Sequence, residues 1–225
     1  KESSSVYGVT NFNGIFKYNI PITGVIGDSQ SALFANQSFK YGDTKITLGT
    51  GSSILTNIGN RYKVKDNNIT SLSFVYNGKA HYSYECLINF AGATISWLKN
   101  NLEMIDSVKD SNKISKSVKD SNGVFLIPAF VGLSSPHWIP DSKGMFYGLT
   151  PTVNKNHLIR SCLESIAFQI KDYSEELKKQ QKIKFKKIYL DGGMTSNIFL
   201  VQMLSNLFQN RIYISKLEDM SAYGS

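Results

Sequence analysis

Two cysteines and three histidines in 225 residues leave little material for metal or redox chemistry. Cys86 and Cys162 stand far apart in apolar surroundings, which suits reduced thiols in an intracellular compartment better than a disulfide framework. His81, His137 and His157 lack ligand-type spacing with one another or with the cysteines, so no zinc site is expected. A Gly-x-x-x-x-Gly-Lys-Ser/Thr element is missing; the only Gly-Lys pair, Gly78-Lys79, falls in a turn, which excludes a P-loop. Gly-x-Ser-x-Gly is absent too, against a Ser-His-Asp hydrolase. No apolar stretch approaches the ~20 residues that span a bilayer. Lys1-Glu2-Ser3-Ser4-Ser5 does not open a secretion signal, and no low-complexity linker divides the chain. The expectation is a single α/β domain, cytoplasmic, with no membrane partner.

Hydrophobic residues make up 41%, enough for a folded core rather than disorder. The net charge of +8 raises nucleic acid as a partner. Much of it sits between Lys178 and Lys187, however, where no aromatic platform or recognition helix accompanies it. The run reads as the polar end of a helix and the approach to the next strand, so nucleic acid is not expected.

Three glycine-bearing turns carry most of the remaining information: Gly27-Asp28-Ser29-Gln30, Leu48-Gly49-Thr50-Gly51-Ser52-Ser53 and Leu190-Asp191-Gly192-Gly193-Met194-Thr195-Ser196-Asn197. Each follows a short apolar run that reads as a strand, and the first and third open into a helix. Glycine lets backbone N–H groups approach an anion, and a helix N-terminus adds favourable partial charge. Repetition of the arrangement points to a split nucleotide site.

Periodicity predicts the elements around these turns. Residues 21–26 read as a buried strand, followed by a helix from Asp28 or Ser29, either of which could cap it, to about Phe39. Residues 43–48 and 53–58 form a hairpin, and strands at 72–76 and 81–84 flank Asn77-Gly78. A helix is expected from Ala91 to about Ile105, with Ile95, Trp97, Leu98, Leu102 and Ile105 on its apolar face. The hexapeptide Ser-Val-Lys-Asp-Ser-Asn occurs at 107–112 and again at 117–122. Two copies do not make a solenoid, and they read as a surface helix without function. Strands at 124–128 and 145–149, a long helix from His157 to about Lys179, a strand at 187–190, a helix from Asn197 to Phe208 and a strand at 211–214 complete a mixed sheet with helices packed against it. A further helix begins near Met220.

Asp28 is the ionisable residue of most interest. Its carboxylate either accepts a proton from a hydroxyl attacking a phosphoryl group or caps the helix. Thr50-Gly51 offers a hydroxyl and compact amides for phosphate oxygens, or is a plain hairpin. Gly193 and Asn197 share one helix face and fit a nucleotide, or serve helix initiation with capping by Ser196 or Thr195. Gly92, with Ser96 one turn on, admits a ligand or close helix packing.

Together these residues resemble the C-terminal domain of the FGGY carbohydrate kinases, nearest to the branch that phosphorylates glycerol. The match is ordered along nearly the whole chain: Gly27-Asp28, Gln30 to Phe34, Gly49-Thr50-Gly51, Ala91-Gly92-Ala93, Pro128-Ala129-Phe130, Pro136-His137-Trp138, Lys143-Gly144, Gly148-Leu149-Thr150, Leu163 to Ala167 and Asp191-Gly192-Gly193. The resemblance implies a ribonuclease-H-like, actin-type ATPase fold and a kinase using ATP with magnesium held by the nucleotide, without a direct protein cage. Asp28 would be the catalytic base, Ser29 and Ser53 would join it at the substrate, and Thr50, Gly51, Gly92, Ser96, Gly193 and Asn197 would contact nucleotide. Members acting on glycerol usually carry Gln at position 29, an aromatic residue at 53 and Gln at 96. Serine at these places implies a larger or more hydroxylated acceptor, such as a pentulose. The resemblance further implies a substrate domain before Lys1 and helices beyond Ser225, so this chain alone is not expected to turn over. A homo-oligomer stays open, and a noncatalytic nucleotide-binding module of the same superfold is the alternative.

Overall fold

In chain order the computed structural model, which describes residues 1–63, 68–215, 217 and 219–225, contains β1 (Ser4–Thr10), β2 (Ile20–Gly24), α1 (Asp28–Ala35), β3 (Thr44–Leu48), β4 (Ser52–Gly59), β5 (Ile69–Tyr76) and β6 (Lys79–Ile88). These are followed by α2 (Gly92–Asn100), α3 (Asp110–Lys116), β7 (Phe125–Ile127), β8 (Met145–Tyr147) and α4 (Lys155–Gln181). The chain continues with β9 (Ile188–Asp191), a 3-10 turn (Gly193–Ser196), α5 (Ile198–Phe208), β10 (Ile212–Ile214) and α6 (Met220–Gly224).

Six strands form the central sheet in the order β10-β9-β3-β4-β6-β5. β3, β4, β6 and β5 pair antiparallel, whereas β9 and β10 run parallel to β3. Side chains alternate across this sheet. Ile46, Leu48, Ile188 and Leu190 enter the main core beneath α2, α4 and α5. The opposite face holds Leu55 and Phe74 against Leu33 of α1. The expected mixed sheet with packed helices is what forms.

α4 runs 27 residues, about 40 Å at 1.5 Å per residue. Ile159, Leu163, Ile166, Ile170 and Tyr173 lie on its buried face, as their spacing predicts. Asn154 caps it: Oδ1 accepts from Asn156 N–H at 2.9 Å, while Asn154 N–H donates to His157 Nδ1 at 3.1 Å. The helix ends at Lys182 in the left-handed conformation, so the lysine run straddles a helix end and the approach to β9.

Several expectations fail in instructive ways. β2 is exposed rather than buried, because among the described residues it pairs only with β1, in a separate two-stranded sheet. Strand β1 was not anticipated. α1 stops at Ala35, where Asn36 N–H closes on Ala32 O and Gln37 takes a positive φ. α2 ends at Asn100, five residues short of the expectation; Met104 N–H reaches back to Leu98 O, and Leu102 is left exposed. β7 turns Phe125 and Ile127 outward, since its one strand partner among the described residues is β8. Only Asp110–Lys116 of the repeat-bearing segment is helical.

Both cysteines are free and buried. Burial pushes the Cys86 thiol from its ordinary 9.0 up to about 12, and raises Cys162 as well. A thiol with a raised folded pKa contributes its full stability below the unfolded value and loses it as pH climbs toward the folded one. Stability in denaturant titrations should therefore decline above about pH 9 and do so less steeply in a Cys86→Ala/Cys162→Ala variant. Identical slopes would assign the decline to Tyr84 and Tyr173, whose burial also raises them.

Candidate active site

The second glycine turn joins β3 to β4 and receives the start of α2. Gly49 N–H donates to Gly51 O at 3.0 Å, Gly92 N–H to Gly49 O at 3.0 Å, and Ala91 and Ala93 N–H both reach Thr50 O. A Cβ on Gly92 would lie 2.6 Å from Gly49 O, and one on Gly51 would lie 2.6 Å from Ile88 O. Glycine is required at both places by backbone packed on backbone. Thr50 stands exposed at the tip. Its hydroxyl forms no hydrogen bond among the described residues, which leaves it free for a ligand.

The third turn closes on the second. Gly192 has φ +90°, and a Cβ there would sit 2.6 Å from Leu48 O. Thr195 Oγ1 and Ser196 Oγ donate to Gly192 O and Gly193 O, respectively, shaping the 3-10 turn. Capping of α5 falls to Asn197 instead: its Oδ1 accepts from Leu200 N–H at 3.1 Å. Asn197 Nδ2 donates to Ser111 Oγ at 3.1 Å, so both ends of this buried amide are engaged, with one N–H to spare.

Between the two turns lies a cavity of about 740 Å³. Thr50, Gly92, Ser96, Gly193 and Asn197 all line it. Gly51 does not; it lies under the turn. Val108, Lys109 and Asn112 also line it, and none was foreseen. They belong to the first hexapeptide copy, which carries no local signal of a binding role; packing of α3 against α4 and α5 brings it there.

The candidate base is placed through its neighbour, Ser29, which approaches the strand leaving the same turn. Asp28 is the first residue of α1, and Gly27 occupies the cap without a side-chain bond, so neither Asp28 nor Ser29 caps the helix. Asp28 Oδ1 accepts from Ser29 N–H at 2.6 Å and the side chain stays exposed. Ser29 Oγ lies 3.5 Å from Ser53 Oγ, which fixes α1 over the start of β4, two residues past Gly51. The three residues assigned to substrate thus gather near the start of β4, and none of them lines the cavity.

Beneath them is a group the sequence did not flag. Lys45 is 2% exposed, on the face of β3 shared with Thr47, opposite Tyr189 and Asp191 of β9. Burial holds its ammonium below the usual lysine range, against the opposing fields of Asp191, Asp28 and Glu85. Asp191 Oδ2 and Thr47 Oγ1 are buried without a hydrogen-bond partner among the described residues.

Residues 44–225 match the C-terminal domain of the FGGY family of carbohydrate kinases. The chain belongs to that family. Glycerol kinase of Brachyspira hyodysenteriae is 39% identical across the whole chain, which covers 45% of that protein. Glycerol kinase of Fusobacterium nucleatum is also 39% identical, with 46% of it covered. The chain spans about half the length of the curated relatives it matches. Among solved structures, Plasmodium falciparum glycerol kinase with ADP superposes with a TM-score of 0.91 at 33% identity, over the full chain and 45% of that protein. Xylulose kinase from Rhodospirillum rubrum superposes at 0.84 with 17% identity, over the full chain and 46% of that protein, a likeness of fold alone. The fold is that of the FGGY sugar kinases, the actin-like ATPase architecture expected from the sequence.

Proposed function

We propose that this chain is the nucleotide-binding domain of an ATP-dependent kinase that phosphorylates a sugar or polyol hydroxyl. The observation that carries the reading is convergence: segments remote in sequence line a single cavity, and Ser29, next to the exposed Asp28, lies 3.5 Å from Ser53 on the strand that leaves the turn at Thr50. Phosphoryl transfer asks mainly for positioning and for charge stabilisation. In this reading the Gly49–Gly51 turn and Gly193 receive the phosphates, and Ser96 and Asn197 face the nucleoside. Asp28 would accept the proton of the acceptor hydroxyl while the hydroxyl oxygen bonds the γ-phosphorus and the bond from that phosphorus to the β,γ-bridging oxygen breaks. Magnesium carried by the nucleotide would supply charge neutralisation, with Asp28 as the nearby carboxylate and no protein cage.

A substrate domain completes the cleft in this reading, and the protein is cytoplasmic. In this reading Ser29 and Ser53, whose hydroxyls lie 3.5 Å apart, line the acceptor side, at the two positions where the resemblance implies a long amide and an aromatic wall in members acting on glycerol. The full-length protein should therefore show a higher kcat/KM on pentuloses and longer polyols than on glycerol in an ADP-release assay. A clear preference for glycerol would sink the enlarged pocket, and no turnover on any acceptor would sink the kinase reading.

A further inference from the structure

The two identical hexapeptides occupy different surroundings. In the second copy, Asn122 Nδ2 donates to Thr152 Oγ1 at 2.9 Å on the exterior. In the first, Asn112 lines the cavity shared with the glycine turns. A backbone N–H can only donate, so the 3.0 Å bond from Phe199 N–H fixes Asn112 Oδ1 toward α5. A second tie, Asn197 Nδ2 to Ser111 Oγ, holds the same segment in place. Asn112 Nδ2 forms no hydrogen bond among the described residues. It is left as an oriented donor at the cavity wall, on a side chain whose rotation is already locked.

Two apolar side chains, Val108 and Met194, line the same cavity and suit the faces of a flat ring. We infer that Asn112 reads the base of a purine nucleotide, its Nδ2 donating to an unprotonated ring nitrogen. The inference rests on the nucleotide reading of this cavity. A purine such as adenine offers three ring nitrogens of this kind, cytosine one and uracil none. Lys109, the ionisable residue in the lining, acts on the nucleotide's charge whatever its base. The two contributions are therefore separable.

Calorimetry on the full-length protein with ADP and UDP tests the inference. Asn112→Asp keeps an acceptor for Phe199 N–H but turns the cavity-facing donor into an acceptor. ADP binding should weaken roughly tenfold or more, the loss expected for one hydrogen bond to a base. UDP, whose base offers no such nitrogen, should weaken less, so the preference for ADP narrows. Asn112→Ala should narrow it in the same sense. Equal weakening of both nucleotides in both variants would show a charge or folding effect and overturn the inference, as would unchanged binding. If the unaltered protein bound neither nucleotide, the cavity's nucleotide assignment would fail first and take the inference with it.

Discussion

Asp28→Asn in the full-length protein is expected to lower kcat by roughly 100- to 10,000-fold, the range that a positioned proton acceptor contributes. The amide retains the size of the carboxylate and can still accept from Ser29 N–H, the one hydrogen bond the side chain makes among the described residues. What it loses is the capacity to take up a proton. The thermal midpoint should be unchanged, because the side chain is exposed and Gly27, not Asp28, occupies the helix cap. Nucleotide affinity should hold as well, since the residue lies outside the cavity lining. A fall in kcat with KM for nucleotide preserved is the signature of a group acting on the reacting hydroxyl. Turnover within a few-fold of the unaltered enzyme would place the proton acceptor elsewhere, and Lys45 and Asp191 beneath the sheet would then need a direct test.

What the sequence revealed follows a physical division. Long periodic segments were legible: the buried face of α4 and the β3-β4 hairpin repeat their patterns over enough residues to be unambiguous. The glycine turns were legible because backbone packed on backbone admits no other residue, as at Gly92 and Gly51. Elements outside the main sheet were misread. β2 and β7 carry apolar runs that look buried, yet each pairs with a single strand and turns those side chains outward. Pattern cannot distinguish a strand covered on both faces from one left half bare. Asn112 was invisible for a different reason. Its hexapeptide is identical to one on the exterior, and position relative to α5, not composition, makes one copy a cavity wall.

Two adjacent glycines should separate folding from binding. Gly192 lies at φ +90° with Leu48 O, C and N all within 3.0 Å of where a Cβ would stand. Gly192→Ala must shift either β3 or the third turn, and it carries the conformational strain as well; about 3 kcal/mol or more of stability should be lost. Because Leu48 leads directly into Gly49, the displaced backbone also misaligns the turn at Thr50, so nucleotide binding should fall together with the denaturation midpoint. At Gly193 a Cβ would meet nothing within 4 Å, and the residue lines the cavity. Gly193→Val should leave the midpoint within about 0.5 kcal/mol, the usual range for a surface change, while two methyl groups fill space assigned to the nucleotide. The expected pattern is binding lost with folding spared at 193, and both lost at 192. Unchanged ADP affinity in Gly193→Val would mean that the nucleotide does not approach this backbone. A stable Gly192→Ala would mean instead that the two turns yield to one another, and the convergence at the cavity would no longer depend on glycine.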